Sequence, residues 1–252
     1  MRAAVVGGTG TLGRLVVDEL LERGAAVRVL SRRDPGDLPA GVEHRRADLS
    51  SGEGLVGGLA DVEVVVGAAN SFRGSKQVLV AGSERLLAAG SEAGVGHYVE
   101  ISIVGCDRVP YPYYRVKVAQ EQALEAGPLP WTLLRATQFH QLLDWAFAAA
   151  ARFGVRPTGA ARFQSIAAAA VATRLADAAL AEPAGRLPDL AGPQVQTLGE
   201  LSAQWAQARR RRRLPLRIPS WGGLGRALAA GGLCDPRASA PGQTFAEWLT
   251  DG

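Results

Sequence analysis

Two cysteines in 252 residues, Cys106 and Cys234, are too few for a disulfide framework, and no closely spaced Cys/His set offers a zinc site. The expectation is a chain without a metal, in a reducing cytoplasm. Long apolar runs are missing too. The chain passes from Met1-Arg2 straight into a short apolar strand, and no later stretch reaches transmembrane length without a charge or a polar break. Secretion and membrane spanning are therefore not expected. Charge of one sign is scarce: the net value is +4, and its one concentration is five consecutive arginines at positions 209–213. No helix-turn-helix, zinc finger or aromatic RNA-binding motif accompanies that run. It reads as a solvated helix end, where arginine complements the dipole, and nucleic acid is not an expected partner.

What is present alternates. Residues 3–7 form an apolar strand, a glycine loop runs from Gly8 to Gly13, and Leu12, Leu15, Val16 and Leu20 then recur at helical spacing. A second strand at 27–30 completes a βαβ unit. Further strands are predicted at 42–46, 62–67, 96–104 and 131–134. Helices are predicted from about residue 50, over 72–89 and over 113–126. This repetition predicts an α/β fold, a doubly wound Rossmann-like parallel sheet with a small C-terminal α/β cap. Helices at 137–151, 166–180 and 198 to about 212, short strands near 155 and 186–190, and terminal helices near Leu224 and Phe245 complete the expectation. Residues 1–150 form the dinucleotide-binding core in this reading. Residues 151–252 form an interleaved, substrate-side cap that completes one domain and does not fold alone.

The segment Gly7-Gly8-Thr9-Gly10-Thr11-Leu12-Gly13 satisfies both GxxGxxG and GxGxxG, with a strand before it and a helix after it. Glycine is needed where the strand turns sharply, where backbone approaches a pyrophosphate and where helix meets sheet. The N–H groups of the helix start then receive the phosphate charge. Strand two ends in Leu30-Ser31-Arg32-Arg33, where an NAD site usually carries an acid. Two guanidiniums and a hydroxyl suit a 2′-phosphate, so NADP(H) is preferred over NAD(H). Tyr113 and Lys117 lie four apart on a helix, hence on one face. A phenol beside an ammonium and a cofactor ribose can exchange a proton with a carbonyl oxygen during hydride transfer.

These motifs, with Asp48-Leu49, Gly67-Ala68-Ala69-Asn70, Ile101-Ser102-Ile103-Val104-Gly105 and Leu134-Arg135-Ala136-Thr137-Gln138-Phe139, resemble the short-chain dehydrogenase/reductase superfamily, in particular its atypical NmrA-like and NAD(P)H-binding members. The likeness covers the first 145 residues by motif and the rest by layout. It implies Asp48 and Leu49 at the adenine, Ala68 and Ala69 along the cofactor, and Lys117 at the nicotinamide ribose. Thr137 and Gln138 would lie beside the nicotinamide and substrate pocket, and Tyr113 matches the active-site tyrosine. Tyr114 would be its neighbour. Family enzymes commonly carry adjacent serines at the end of this strand, whereas here Ser102 is followed by Ile103. The NmrA-like group also holds proteins that bind the cofactor and act as sensors without turnover, and membership among those would imply a protein partner.

Phe139, His140, Trp145, Phe147 and Phe153 are candidates to line a substrate pocket, with ordinary packing expected for Phe147 and Phe153. His140 serves either a substrate oxygen or a structural hydrogen bond. His44 and His97 read as structural, and Cys106 as packing. Two functions stand open: an NADPH-dependent reductase of a small carbonyl, quinone or similar aromatic compound, and a non-catalytic NADP(H)-responsive regulator.

Overall fold

The structure, a computed structural model, describes residues 1–34, 36–71, 74–211 and 213–251. In chain order its elements are β1 (Arg2–Val6), α1 (Thr11–Glu22), β2 (Ala26–Ser31), β3 (Glu43–Arg46), α2 (Leu55–Gly58), β4 (Val64–Gly67), α3 (Ala81–Glu92), β5 (His97–Ile103), α4 (Pro112–Glu125), β6 (Trp131–Ala136), α5 (His140–Ala151), β7 (Val155–Thr158), β8 (Arg162–Phe163), α6 (Ala168–Leu180), β9 (Gly185–Arg186), β10 (Gln196–Thr197), α7 (Leu198–Ala208), β11 (Leu214–Arg217), α8 (Gly222–Ala229) and α9 (Phe245–Asp251). Two compact units interleave in sequence. The first is Met1–Ser102, Arg115–Leu134 and Val171–Leu187; the second is Ile103–Tyr114, Arg135–Ala170 and Pro188–Gly252.

Seven strands form one sheet in the order β3-β2-β1-β4-β5-β6-β9. Pairing is parallel between β1 and both β2 and β4, between β2 and β3, β4 and β5, and β6 and β9. This is the doubly wound α/β fold expected from the alternation. The unbroken burial of Val64–Gly67 and of all but the first residue of Arg2–Val6 follows from helices covering a parallel sheet on both faces. Helix α1 turns Leu12, Val16, Val17 and Leu20 inward and ends where Gly24 takes a φ of +77°, letting the Ala25 N–H reach the Leu20 carbonyl at 3.0 Å. The first unit's core includes Leu30, Leu59, Val65, Leu86, Tyr98, Leu124 and Leu133. The chain leaves β1 on one side for β2 and β3 and returns on the other for β4, so the strand order reverses beside β1. Ligands of open α/β sheets bind beyond the strand carboxyl ends at such a reversal.

The second unit packs α5, α7 and α9 through Leu143, Phe147, Leu201, Trp205, Phe245 and Leu249. It also holds two small sheets, β8 with β10 and β7 with β11.

Several predicted boundaries shift. In place of a helix from residue 50, the chain makes a turn and then the four-residue α2, because Gly52 and Gly54 both adopt positive φ (+86° and +75°). Of the predicted 72–89 helix, residues 72 and 73 lie outside the described residues. Lys76–Val80 is a wider, π-type turn leading into α3. Helix α5 begins at His140 rather than 137, since Ala136 and Phe139 bridge to Leu190 and Ile166. The predicted 198–212 helix stops at Ala208: Arg210 has a φ of +49°, and Leu214 precedes a proline, a position that disfavours helix. Strand β11 follows, unpredicted. Phe153, expected to pack, is 84% exposed after the end of α5, while Phe147 is buried against Trp205 and Phe245. Arg210, Arg211 and Arg213 line a recess of about 480 Å³ with Arg156, Ala206 and Gln207. Among the described residues that line it, Arg156 alone adds charge beyond the run itself.

Candidate functional site

At the end of β1 the chain turns through Gly7, whose φ of +81° is one that side chains resist. Space forbids a side chain as well. A β-carbon on Gly7 would lie 2.7 Å from Ala69 Cα, and one on Gly13 would lie 2.1 Å from the Gly7 carbonyl oxygen. The Gly10 N–H donates to that carbonyl at 2.9 Å and closes the loop. Helix α1 then starts without a side-chain cap, because its N-cap is Gly10. Its first-turn N–H groups lack intrahelical acceptors, and the dipole's positive end adds to them, which makes the loop a receptor for phosphate. Thr9 is half-buried, Gly10 and Thr11 are exposed, and Leu12 and Gly13 are buried. Arg14, which sequence reasoning missed, donates from Nε to the Thr9 carbonyl at 3.1 Å and brings a guanidinium to the same loop.

Other expected residues follow the carboxyl ends of neighbouring strands in the first unit. Asp48 and Leu49 come after β3, Ser31 closes β2, Ala68 and Ala69 follow β4, and Ser102 lies near the end of β5. Asp48 Oδ1 accepts the Ser50 N–H at 2.7 Å, and Arg85 donates to the Leu49 carbonyl at 3.2 Å. The Ala68 N–H donates to Val6 at 2.9 Å, which fixes the two alanines against the glycine loop. Ser31 Oγ donates to the Arg33 carbonyl at 2.7 Å, so its 2.9 Å contact with His44 Nε2 has the imidazole as donor. The hydroxyl thus holds its own turn. Arg32 and Arg33 are exposed and join no ion pair among the described residues, so they are the cations at the end of β2.

Helix α4 carries Tyr113 and Lys117 one turn apart. Lys117 is one of two lysines beside 26 arginines in this chain, and it is 4% exposed. Its Nζ donates to the Ile101 carbonyl at 2.8 Å and to Gln120 Oε1 at 2.5 Å. Ser102 follows Ile101 and is itself buried. In the second unit Tyr113 is buried with its ring 6.0 Å from Tyr114, whose phenol burial pushes up to about 12.

The remaining second-unit residues divide by their partners. Thr137 Oγ1 accepts the Gly192 N–H at 3.1 Å. His140 is fully buried: Nε2 faces the Gln243 carbonyl at 3.0 Å and so donates, leaving Nδ1 to accept from Ser165 Oγ at 3.0 Å. Burial lowers its pKa, and Phe245 and Trp248 flank its ring. Phe139 is half-buried at the α5 N-cap. Gln138 is buried, yet neither end of its amide has a hydrogen-bond partner among the described residues. Such a group costs about 1–3 kcal/mol and calls for an explanation such as a ligand.

Residues 7–182 match the family described as NAD(P)H-binding. The chain belongs to the NAD(P)H-binding family. A (4-alkanoyl-5-oxo-2,5-dihydrofuran-3-yl)methyl phosphate reductase of Streptomyces griseus is 28% identical over 228 residues, 86% of this chain and 76% of that protein. Photosystem II assembly factor Ycf39 of Cyanophora paradoxa is 30% identical over 156 residues, 59% of this chain. The chain spans 49% of that factor's length. Among solved structures, an NADPH-dependent quinone oxidoreductase from Escherichia coli complexed with NADPH superposes with a TM-score of 0.83 at 21% identity, covering 99% of both chains. The fold is thus that of NAD(P)H-binding oxidoreductases. Such a cofactor fits the residues present, because the cradle over Gly7 and Gly13 exists only while both lack side chains.

Sequence reasoning also missed Glu100 of β5. Burial raises its carboxyl from an ordinary value near 4.5 to about 7, against the opposing pull of Lys117 and the Tyr98 hydrogen bond. The folded chain therefore binds this proton more tightly than the unfolded chain. The stability so contributed is fully present below about pH 4.5 and is lost as pH rises through about 7. At about 1.4 kcal/mol per pH unit of separation, the loss is on the order of 3 kcal/mol. Denaturant titrations at several pH values are expected to show this slope in the parent and not in Glu100→Gln; equal slopes would refute it.

Proposed function

We propose that the chain is an NADPH-dependent reductase of a small carbonyl, quinone or similar aromatic compound. The observation that carries this reading is the uncapped start of α1 behind Gly7 and Gly13, with Arg32 and Arg33 rather than an acid at the end of β2. Guanidinium pairs suit a 2′-phosphate where a carboxylate would repel it. Gly7, Thr9, Gly10, Thr11, Leu12 and Gly13 would hold the pyrophosphate, Asp48 and Leu49 the adenine, and Ala68 and Ala69 the length of the cofactor. Lys117 would hold the nicotinamide ribose, with Thr137 beside the ring.

NADPH, when bound, supplies the hydride. Tyr113 gives its phenolic proton to the substrate oxygen as the carbonyl carbon is reduced to the alcohol. The Lys117 ammonium favours the phenolate left behind, and the Ser102 hydroxyl polarises the same oxygen. The unsatisfied amide of Gln138 suits a polar substrate atom, and Phe139 an apolar body. The two ring nitrogens of His140 already have partners, which favours its structural role.

The test is binding and oxidation of NADPH and NADH across quinones, aldehydes, ketones and enones. The parent is expected to oxidise NADPH, and replacing Arg32 and Arg33 together by alanine should weaken NADPH binding about 10- to 100-fold with little change for NADH. Parallel losses for both cofactors would remove the 2′-phosphate role, and no binding of either would overturn the whole reading. A second reading, an NADP(H)-responsive protein without turnover, is favoured by Ile103 after Ser102. The assembly-factor relatives also support it. Tight NADPH binding with no oxidation on any compound would select it.

A further inference from the structure

Strand β5 carries a carboxylate where a buried parallel strand ordinarily carries a hydrophobe. Glu100 stands in register with Gly67 of β4, and this glycine provides the room. A β-carbon there would lie 2.5 Å from Glu100 Oε2 and 2.7 Å from Tyr98 Oη. Tyr98 Oη donates to Oε2 at 2.8 Å, the Ile101 N–H donates to Oε1 at 3.1 Å, and Lys117 Nζ lies 4.0 Å from Oε1. From α4, Gln120 accepts from Lys117 and in turn donates to Ser83 Oγ of α3 at 3.0 Å. Glu100 and Lys117 are both at least 95% buried.

We infer that Glu100 is a positioning residue for Lys117: its carboxylate is the counter-charge that retains an ammonium at position 117 and fixes Nζ at the carboxyl end of β5. The inference rests on the reading of Lys117 as the lysine of the cofactor ribose. A role in stability alone fits the arrangement poorly, because desolvating an ion pair offsets its attraction and a hydrophobe of similar volume would serve the core as well or better. Two choices in the sequence converge on the pair instead. Gly67 gives up a side chain so that the carboxylate fits, and a chain that uses arginine for 26 of its 28 basic residues uses lysine here. A guanidinium, planar and forked, does not replace a compact ammonium held between a peptide carbonyl, an amide oxygen and a carboxylate. The carbonyl it holds belongs to Ile101, one peptide from Ser102.

With only Lys76 and Lys117 present, chain labelled with 15N-lysine gives at most two side-chain ammonium signals, assigned by Lys76→Arg. In cofactor-free protein at pH 7.5, the Lys117 signal is expected to be protected from proton exchange. In Glu100→Gln it should shift and exchange at least about tenfold faster, and NADPH turnover should fall on the order of tenfold. Gly67→Ala, which keeps Glu100 but crowds its carboxylate, is expected to move the same signal. An unchanged Lys117 signal in both variants would overturn the inference, even if turnover fell. A signal that responds as expected in a chain that binds no NADPH would support the Glu100 to Lys117 coupling and remove the reductase reading instead.

Discussion

Replacing Gly13 by alanine is expected to abolish NADPH binding and to lower the melting temperature by several degrees. The added methyl would meet the Gly7 carbonyl oxygen at 2.1 Å, Gly8 Cα at 2.7 Å and the Gly7 carbonyl carbon at 2.8 Å. All three are backbone atoms, so no side chain can rotate away. Relief requires the loop and the start of α1 to separate, and that movement displaces the N–H groups that would face the pyrophosphate. Overpacking of this kind costs about 1–3 kcal/mol. At roughly 2–4 °C per kcal/mol for a chain of this size, the melting temperature falls by about 2–12 °C. Gly57→Ala is the matched control, since a β-carbon there meets nothing within 4 Å. Alanine is also the better helix former, so it should add about 0.5–1 kcal/mol and leave binding alone. Cofactor fluorescence and thermal melts on both variants decide the matter: Gly13→Ala binding NADPH within threefold of the parent would show that the loop is not the cradle.

The glycine loop was legible in the sequence because its chemistry demands one residue type at fixed spacing beside a strand and a helix. The parallel sheet was legible for a related reason: Val64–Gly67 and most of Arg2–Val6 are buried on both faces, so their composition alone marks them. Elements whose form depends on distant partners were not. Strand β11 exists through its pairing with β7, about sixty residues earlier, and all four of its residues are exposed, so no hydrophobic period announces it. Ser31 was expected to meet a phosphate, yet its hydroxyl holds its own turn and meets His44 from β3. Glu100 was visible as an acid inside an apolar strand, but its meaning came from Gly67 on the neighbouring strand and Lys117 on a later helix. Arg14 follows the loop motif directly, and its contact with Thr9 could have been anticipated from the helical turn. The amide of Gln138 could be named from its motif, whereas its lack of partners among the described residues is a property of the folded chain alone.

Tyr113→Phe is expected to reduce NADPH turnover by about 10²- to 10⁴-fold, the usual worth of a positioned general acid, while leaving NADPH affinity within threefold. Pro112 opens α4, Tyr113 follows in its first turn, and Lys117 comes one turn later on the same face. Removing the phenolic oxygen deletes the proton donor and keeps the buried ring, so folding should survive. Tyr114 is the internal comparison. Burial pushes its phenol up to about 12, with its ring 5.3 Å from Tyr111, and the raised pKa makes it a weaker acid. Tyr114→Phe should therefore cost less than tenfold in turnover. Single-turnover kinetics separate chemistry from release and show at which step each variant loses rate. Equal losses in the two variants would mean that the cluster of rings, rather than one hydroxyl, supports turnover. A parent that oxidises NADPH but tolerates Tyr113→Phe would place the proton donor elsewhere. Ser102 would be the next residue to replace, since it lies one peptide from the carbonyl that Lys117 already holds.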